Sequence, residues 1–183
     1  MNMLFISDIH GSATALDQAL AWKQRLDSNV LVLLGDLLNH GPRNPIPDGY
    51  DPQAVASTLS TLADQIIAVR GNCDSEVDQM LCGFPLLAEY NWLLLEGRRL
   101  CLTHGHRLGP DNLPPLAPGE GIAFGHTHIP MAEWRQDRLH FNPGSVTLPR
   151  NGQPASFGHF DGERLRVMDM AGNTLASASW KRE

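Results

Sequence analysis

The segment MLFISDIHGSATALDQALAWKQRLDSNVLVLLGD, residues 3–36, decides how the chain is read. It opens on one short apolar run and closes on another, and between them Leu16, Ala19, Leu20 and Lys23 recur at helical spacing. Continuous apolar runs of this length mark strands buried on both faces, and a helix between two of them makes a βαβ unit with parallel strands. Ser12 stands where a helix over Ala13 to Leu26 needs a side-chain acceptor for its first free N–H groups. Each run ends in a carboxylate, Asp8 in SDIHG and Asp36 in LGD. Both acids therefore leave at the carboxyl ends of strands, the rim where ligands of open α/β sheets gather.

Outward from this unit the same alternation continues. Asp51 followed by Pro52 opens a second helix, an N-cap with proline in the first turn, running to about Ala63. QIIAV (65–69) reads as a third buried strand, SEVDQML (75–81) as a short helix, and WLLLEGRRLCLTH (92–104) as a hairpin turning near Glu96 and Gly97. After the proline-rich stretch from Pro110 to Pro118 the pattern changes. IAFGH, MAEWRQDRLHF, ASFGHFDGERLRVMDM and TLASASW read as strands joined by tight turns, Asp161-Gly162 among them, with no helix between. The first half is βαβ-like and the second mostly antiparallel. Two sheets packed face to face with helices outside satisfy both halves, so the expected fold is α/β, a four-layer α/β/β/α sandwich of two mixed sheets. No linker, repeat or low-complexity segment divides it, and residues 1–183 are expected to form one domain.

Composition narrows the function. With 183 residues and 42% hydrophobic content the chain has enough apolar surface for a full core. Its formal net charge is −6, which leaves no basic field for a polyanionic backbone, so no stable nucleic-acid complex is expected. Cys73, Cys82 and Cys101 are odd in number and form no Cys-x-x-Cys, which argues against a disulfide framework and a zinc ribbon and for the reducing cytoplasm. The N-terminus carries no basic leader and no apolar run reaches bilayer length, so a soluble cytoplasmic protein without a membrane partner is expected.

Metal-capable residues fall where strands end. Asp8 and His10 follow the first strand, Asp36 the second, Asn72 the third in RGNCD, His104 the hairpin in THGH, and His126 with His128 lie in FGHTH. Each motif alone is weak, because aspartate and glycine are ordinary turn formers. Five of them placed in order after apolar strands bring seven oxygen and nitrogen donors to one rim. Seven donors suit two divalent cations better than one, with a bridging carboxylate. Carboxylate, imidazole and amide without thiolate form a moderately hard set, compatible with Mn, Fe, Zn or Co.

The ordered motifs SDIHG, LGD, GNCD, THGH and GHTH resemble the signature of the calcineurin-like metallophosphoesterases, and the match spans most of the chain. The short length, NHGPRN, GNCDSEVD and FNPGS are most similar to the small bacterial phosphodiesterases of that family. The resemblance implies the four-layer sandwich and a dinuclear site. In it Asp8, His10 and His128 hold one ion, Asn72, His104 and His126 hold the other, and Asp36 bridges. The ions are expected to be Mn, with Zn, Fe, Co or Ni as alternatives. The implied reaction is attack of a metal-bridging hydroxide on a small phosphodiester substrate; the alternative is a non-catalytic metal-binding scaffold or protein-interaction module on the same fold.

One position departs from the family. Where it commonly has a histidine that protonates the leaving group, this chain has Cys73. A thiol is a weak donor without positive charge in either state, so Cys73 is expected to fill the histidine's place beside substrate without its function. Asp74, the acid that follows, is counted with Asp36 and Asn72 among the catalytic residues. His40 and His106 are the spare imidazoles that could serve as acid, and Arg43 in HGPRN is expected to contact a phosphate oxygen. Asn142 to Ser145, NPGS, reads as a turn that orients the ligand loops. Exposed strands in the antiparallel half leave a homo-oligomer open.

Overall fold

The structure, a computed structural model, describes residues 1–181. Strand β1 (Met3–Ile6), helix α1 (Ala13–Arg25) and strand β2 (Val30–Leu33) form the expected βαβ unit, and β1 pairs in parallel with β2 from Met3 opposite Val30 to Ile6 opposite Leu33. Ser12 caps α1 by accepting the Ala15 N–H at 3.2 Å, and Lys23 and Arg25 in the last turn suit the negative end of the helix dipole. Helix α2 (Pro52–Ser60) is capped by Asp51, which accepts from the Ala54 N–H at 2.9 Å. A 3-10 turn over Ala63–Gln65 leads into β3 (Ile66–Ala68), and helix α3 (Glu76–Leu81) starts with a capping box between Ser75 and Asp78. The hairpin of β4 (Tyr90–Leu95) and β5 (Arg98–Thr103) turns at Glu96 and Gly97, both at positive φ.

The remaining strands are β6 (Gly121–Ala123), β7 (Met131–Arg135), β8 (Arg138–Asn142), β9 (Ser156–Phe160), β10 (Arg164–Asp169) and β11 (Thr174–Ser179). One sheet has six strands in the order β11-β10-β9-β1-β2-β3, the other five in the order β4-β5-β6-β8-β7. Both are mixed. The second half of the chain is less antiparallel than its turns imply, since β6 pairs in parallel with both β5 and β8. The reason is burial: all three residues of β6 are inaccessible, as parallel strands are, and long connections carry the chain across.

Period-two alternation builds the layers. In β1 and β2, Leu4, Ile6, Leu31 and Leu33 face α1 and α2, while Met3, Phe5 and Val32 face the second sheet. The intersheet core is closed by Leu100, Leu102, Phe141, Phe160 and Trp180, with Phe5 edge-on to Phe141 at 5.2 Å. The outer face of the five-stranded sheet is covered by the segment 110–120, whose Leu116 packs on Cys101, Ile122 and Phe124. Among the described residues no helix is long and apolar enough to cross a membrane.

Candidate active site

The loops that leave β1, β2, β3, β5 and β6 meet at one end of the sandwich, and each delivers a donor that the sequence marked. Close approach of these loops requires glycine: a Cβ on Gly71 would lie 2.1 Å from Asp36 Oδ1, and one on Gly125 would lie 1.9 Å from Ser7 Oγ. The donors themselves are bent into shape. Asp8, His10, Asp36, His126 and His128 all have φ between 49° and 62°, the left-handed region that side chains rarely occupy.

Asp8, His10, Asp36, His104 and His128 are all buried. His10 Nε2 lies 3.8 Å from Asp8 Oδ1 and 3.8 Å from Asp36 Oδ2. His104 Nε2 lies 3.4 Å from Asp36 Oδ2, and His128 Nε2 lies 3.2 Å from Asp8 Oδ1. The far side of each ring is tethered to a carbonyl: His10 Nδ1 to Asn39 at 2.9 Å, His104 Nδ1 to Leu34 at 2.7 Å, His128 Nδ1 to Leu148 at 2.5 Å. A carbonyl only accepts, so each Nδ1 carries a proton, and each ring in its neutral form aims the lone pair of Nε2 inward. Asn72 turns Oδ1 to within 3.0 Å of His104 Nε2, and the His126 ring stands 5.1 Å from that of His104.

These groups fit divalent cations. Two ligands each about 2.1 Å from a shared ion stand roughly 3.0–3.4 Å apart at octahedral and tetrahedral angles, close to the spacings here. Asp8, His10 and His128 have donor atoms within 4.8 Å of one another, as do Asp8, Asp36 and His104. Asp8 Oδ1 and His10 Nε2 are buried and have no hydrogen-bond partner, a cost that a cation would remove. The other carboxylate oxygens are already engaged, Asp8 Oδ2 by Ser7 Oγ at 2.6 Å and the His126 N–H at 3.1 Å, Asp36 Oδ1 by the Cys73 N–H at 2.8 Å.

The site is electrostatically tight. Burial by itself opposes charge on the His104 ring, yet the hydrogen bond to Asp36 and the charges of Asp8 and Asp36 hold its pKa up at about 9. Burial likewise acts first on Cys73, and with the charge of Asp36 it pushes the thiol up to about 12. Cys73 is half-buried, within 4.8 Å of donors on His10 and Asp36, and is approached by Asn72 Nδ2 at 3.2 Å.

The remaining expected site residues divide. Asp74 is buried, and its carboxylate accepts the N–H groups of Asp36 and Leu37, each at 2.8 Å, and of Gly71 at 2.7 Å. That placement clips the β2 loop to the β3 loop. His40 Nδ1 lies 3.4 Å from Tyr50 Oη, the two rings meet edge-on, and His40 is not among the residues lining the cavity over the site. His106 lies with its ring 5.4 Å from His104 and 6.1 Å from His126. Arg43 lines the cavity of about 700 Å³ above the donors, together with Asn39, Asn44, Cys73 and Arg150. Arg150 escaped the sequence reading, because it sits in a polar turn 22 residues past His128 with no motif around it. The NPGS turn does brace the loops: Asn142 Nδ2 donates to Gly125 O at 2.8 Å and Ser145 Oγ to Asp8 O at 2.8 Å.

Comparison with known proteins agrees with this geometry. The chain is 52% identical to the phosphodiesterase YfcE of Escherichia coli K12 over 168 residues, 92% of this chain and 91% of that protein. It is 30% identical to the probable metallophosphoesterase YsnB of Bacillus subtilis, covering 96% and 95% of the two chains. The solved structure of E. coli YfcE superposes with a TM-score of 0.97 at 48% identity, covering 99% of this chain and all of that one. Vacuolar Protein Sorting 29 from Cryptosporidium parvum shares the fold at a TM-score of 0.64 and 20% identity, covering 99% and 98%. Residues 1–164 match the model of the calcineurin-like phosphoesterase superfamily domain, and the chain belongs to that superfamily.

Proposed function

We propose that the chain is a metal-dependent phosphodiesterase of the cytoplasm, a single domain over residues 1–183 that cleaves a small phosphodiester at a site for two divalent ions, Mn first among them. The observation that carries the reading is the convergence of Nε2 of His10, His104 and His128 on the two buried carboxylates, with Asp8 Oδ1 and His10 Nε2 unpartnered. Asp8, His10 and His128 would hold one ion, Asn72, His104 and His126 the other, and Asp36 both. Ions bound there supply Lewis acidity toward phosphoryl oxygens and a nucleophilic water at neutral pH.

The protein's own residues orient and protonate. His106 stands beside His104 and His126 and is the imidazole placed to give a proton to the leaving oxygen. Cys73, with its thiol held neutral, faces substrate as a small spectator. Diester specificity is supported by the relation to YfcE, named a phosphodiesterase.

The test is removal and return of metal. Chelated protein should be inactive toward bis(4-nitrophenyl) phosphate and recover with Mn²⁺ at about two ions per chain. Asp36→Asn should stay folded yet lose nearly all turnover and part of the metal, since an amide does not bridge two cations as a carboxylate does. Full activity in metal-free protein would sink the reading, and no turnover with any metal would favour a non-catalytic scaffold.

A further inference from the structure

Arg43 and Arg150 lie on opposite sides of the sequence motifs yet line the same cavity, and among the described residues neither guanidinium has a carboxylate or hydrogen-bond partner. The chain has two more such arginines among the described residues, Arg25 and Arg98, and neither lines this cavity. The sequence has 20 acidic side chains for 14 basic ones, and Arg70, Arg99, Arg107 and Arg166 are each paired with one. Both free arginines are carried by loops tied to ligand histidines. The Arg43 loop begins at Asn39, whose carbonyl holds His10 Nδ1 and whose Oδ1 accepts from the Gly41 N–H at 2.8 Å, while Asn44 Nδ2 closes it on His40 O at 2.8 Å. The Arg150 N–H bonds His128 O at 3.4 Å, two residues after the Leu148 carbonyl that holds His128 Nδ1.

The cavity has no other means of recognition for a large apolar group. Among the described residues no phenylalanine, tyrosine, tryptophan or branched aliphatic side chain lines it, so an acyl chain finds no greasy wall. Its side chains offer charge and amide hydrogen bonds instead. A smaller recess of about 230 Å³ shares Asn72 with this cavity and is lined also by His106, Glu89 and the carboxylate-paired Arg70 and Arg107. With His106 as the acid, the leaving group would lie toward that recess and the retained arm toward Arg43 and Arg150.

We propose that Arg43 and Arg150 form an anion subsite for the retained arm, so that the preferred substrates are phosphodiesters bearing a further phosphate or carboxylate on that arm. The inference rests on the phosphodiesterase reading. Guanidinium groups bind such anions through paired N–H donors at fixed spacing, which lysine does not reproduce.

The test uses two diesters with the same leaving group, 4-nitrophenyl phenyl phosphate and 4-nitrophenyl 4-carboxyphenyl phosphate, on the Mn²⁺-loaded protein. Wild type should favour the carboxylated arm by about tenfold or more in kcat/KM, about 1.4 kcal/mol. The double variant Arg43→Ala/Arg150→Ala should bring that ratio near one, Arg43→Lys/Arg150→Lys should keep part of it, and added salt should narrow it. The ratio is its own control for folding. Equal rates on both diesters in wild type would overturn the proposal, as would a double variant that slows both equally, which would place the arginines on the scissile phosphate. If neither diester is turned over the phosphodiesterase reading fails, and the subsite is then decided by calorimetry with 4-carboxyphenyl phosphate and phenyl phosphate. Tighter binding of the former by about tenfold, lost in the double variant, supports it; equal binding overturns it.

Discussion

Replacing Asp74 with asparagine separates a brace from a proton donor. The carboxylate receives three buried N–H groups, with Oδ2 shared by Asp36 and Gly71 and Oδ1 taken by Leu37. An amide has one acceptor oxygen, so its best pose keeps Asp36 and Gly71 and turns an NH₂ against the Leu37 N–H. One buried donor then goes unpaired at about 1–3 kcal/mol, and two charge-assisted bonds become neutral ones, weaker by about 0.5–1.5 kcal/mol each. Against this, burial and the charge of Asp36 push the Asp74 pKa up to about 6, and asparagine removes that penalty. That penalty is worth about 3 kcal/mol, so the net cost is at most about 3 kcal/mol, a drop in Tm of up to about 12 °C for a chain of this size. Scanning calorimetry of chelated Asp74→Asn protein measures it free of metal linkage, and turnover is measured in parallel at 20 °C on the metal-saturated form. The brace predicts the lowered Tm with more than about a tenth of the turnover retained. A Tm within about 1 °C of wild type with turnover down by about a hundredfold would refute it and return Asp74 to the chemistry.

In chelated protein, Tm should fall as pH rises from about 6.5 toward about 9, because the His104–Asp36 pair is fully formed below the unfolded histidine pKa of 6.5 and is lost as pH passes the folded value of about 9. A flat or rising profile in calorimetry would count against that pair. Cys73→Ser should keep both ions by elemental analysis and at least about a tenth of the turnover, whereas a thousandfold loss with unchanged metal would mean the thiol acts directly. His106→Ala should slow diesters with alkyl leaving groups by about a hundredfold and 4-nitrophenyl diesters by much less, while His40→Ala should slow both classes alike. An even loss across leaving groups in the His106 variant would deny it the role of acid.

The elements were legible where local physics decides them. Ser12, Asp51 and Ser75 are caps that work through their own side chains, and all three accept the N–H groups their positions imply. The parallel placement of β6 was not legible, because IAFGH carries burial but no direction, and only long-range pairing with β5 and β8 sets one. At the site, the donors of the motifs were found because each follows a strand. The clip made by Asp74 was not legible, because its neighbour in the sequence, Asn72, faces the site while its own carboxylate turns back into the loops, a difference of rotamer and burial that spacing does not encode. Arg150 has the opposite history: its place comes from hydrogen bonds of the segment 145–150 to Asp8, Ile9 and His128, the first two spanning 137 and 138 residues of sequence.

Positive φ at five donors explains why the motifs take the form Asp-x-His and His-x-His. Asp8 and His10 both occupy the left-handed region, with Ile9 between them fully buried in the apolar core. The loop thus turns two side chains into the site and plugs the third into the interior within one turn of backbone. His126 and His128 share the left-handed conformation, but the half-buried Thr127 between them is held by Asn142 Nδ2 at 3.0 Å rather than by the core. Such residues cost on the order of 1–2 kcal/mol each, so five of them consume an amount comparable with the whole stability of a domain. Glycine would relieve the backbone at any of these positions, but it has no ligand atom, and the strain therefore persists because the donor and the conformation must belong to the same residue. What over-determines it is visible in the bonds from the His10 N–H to Asp36 O at 2.9 Å, from the Asp8 N–H to Gly35 O at 3.1 Å, and in the Asp74 clip beneath them. The brace that the Asp74 variant weakens is thus the same structure that holds the donors in a conformation they would not choose.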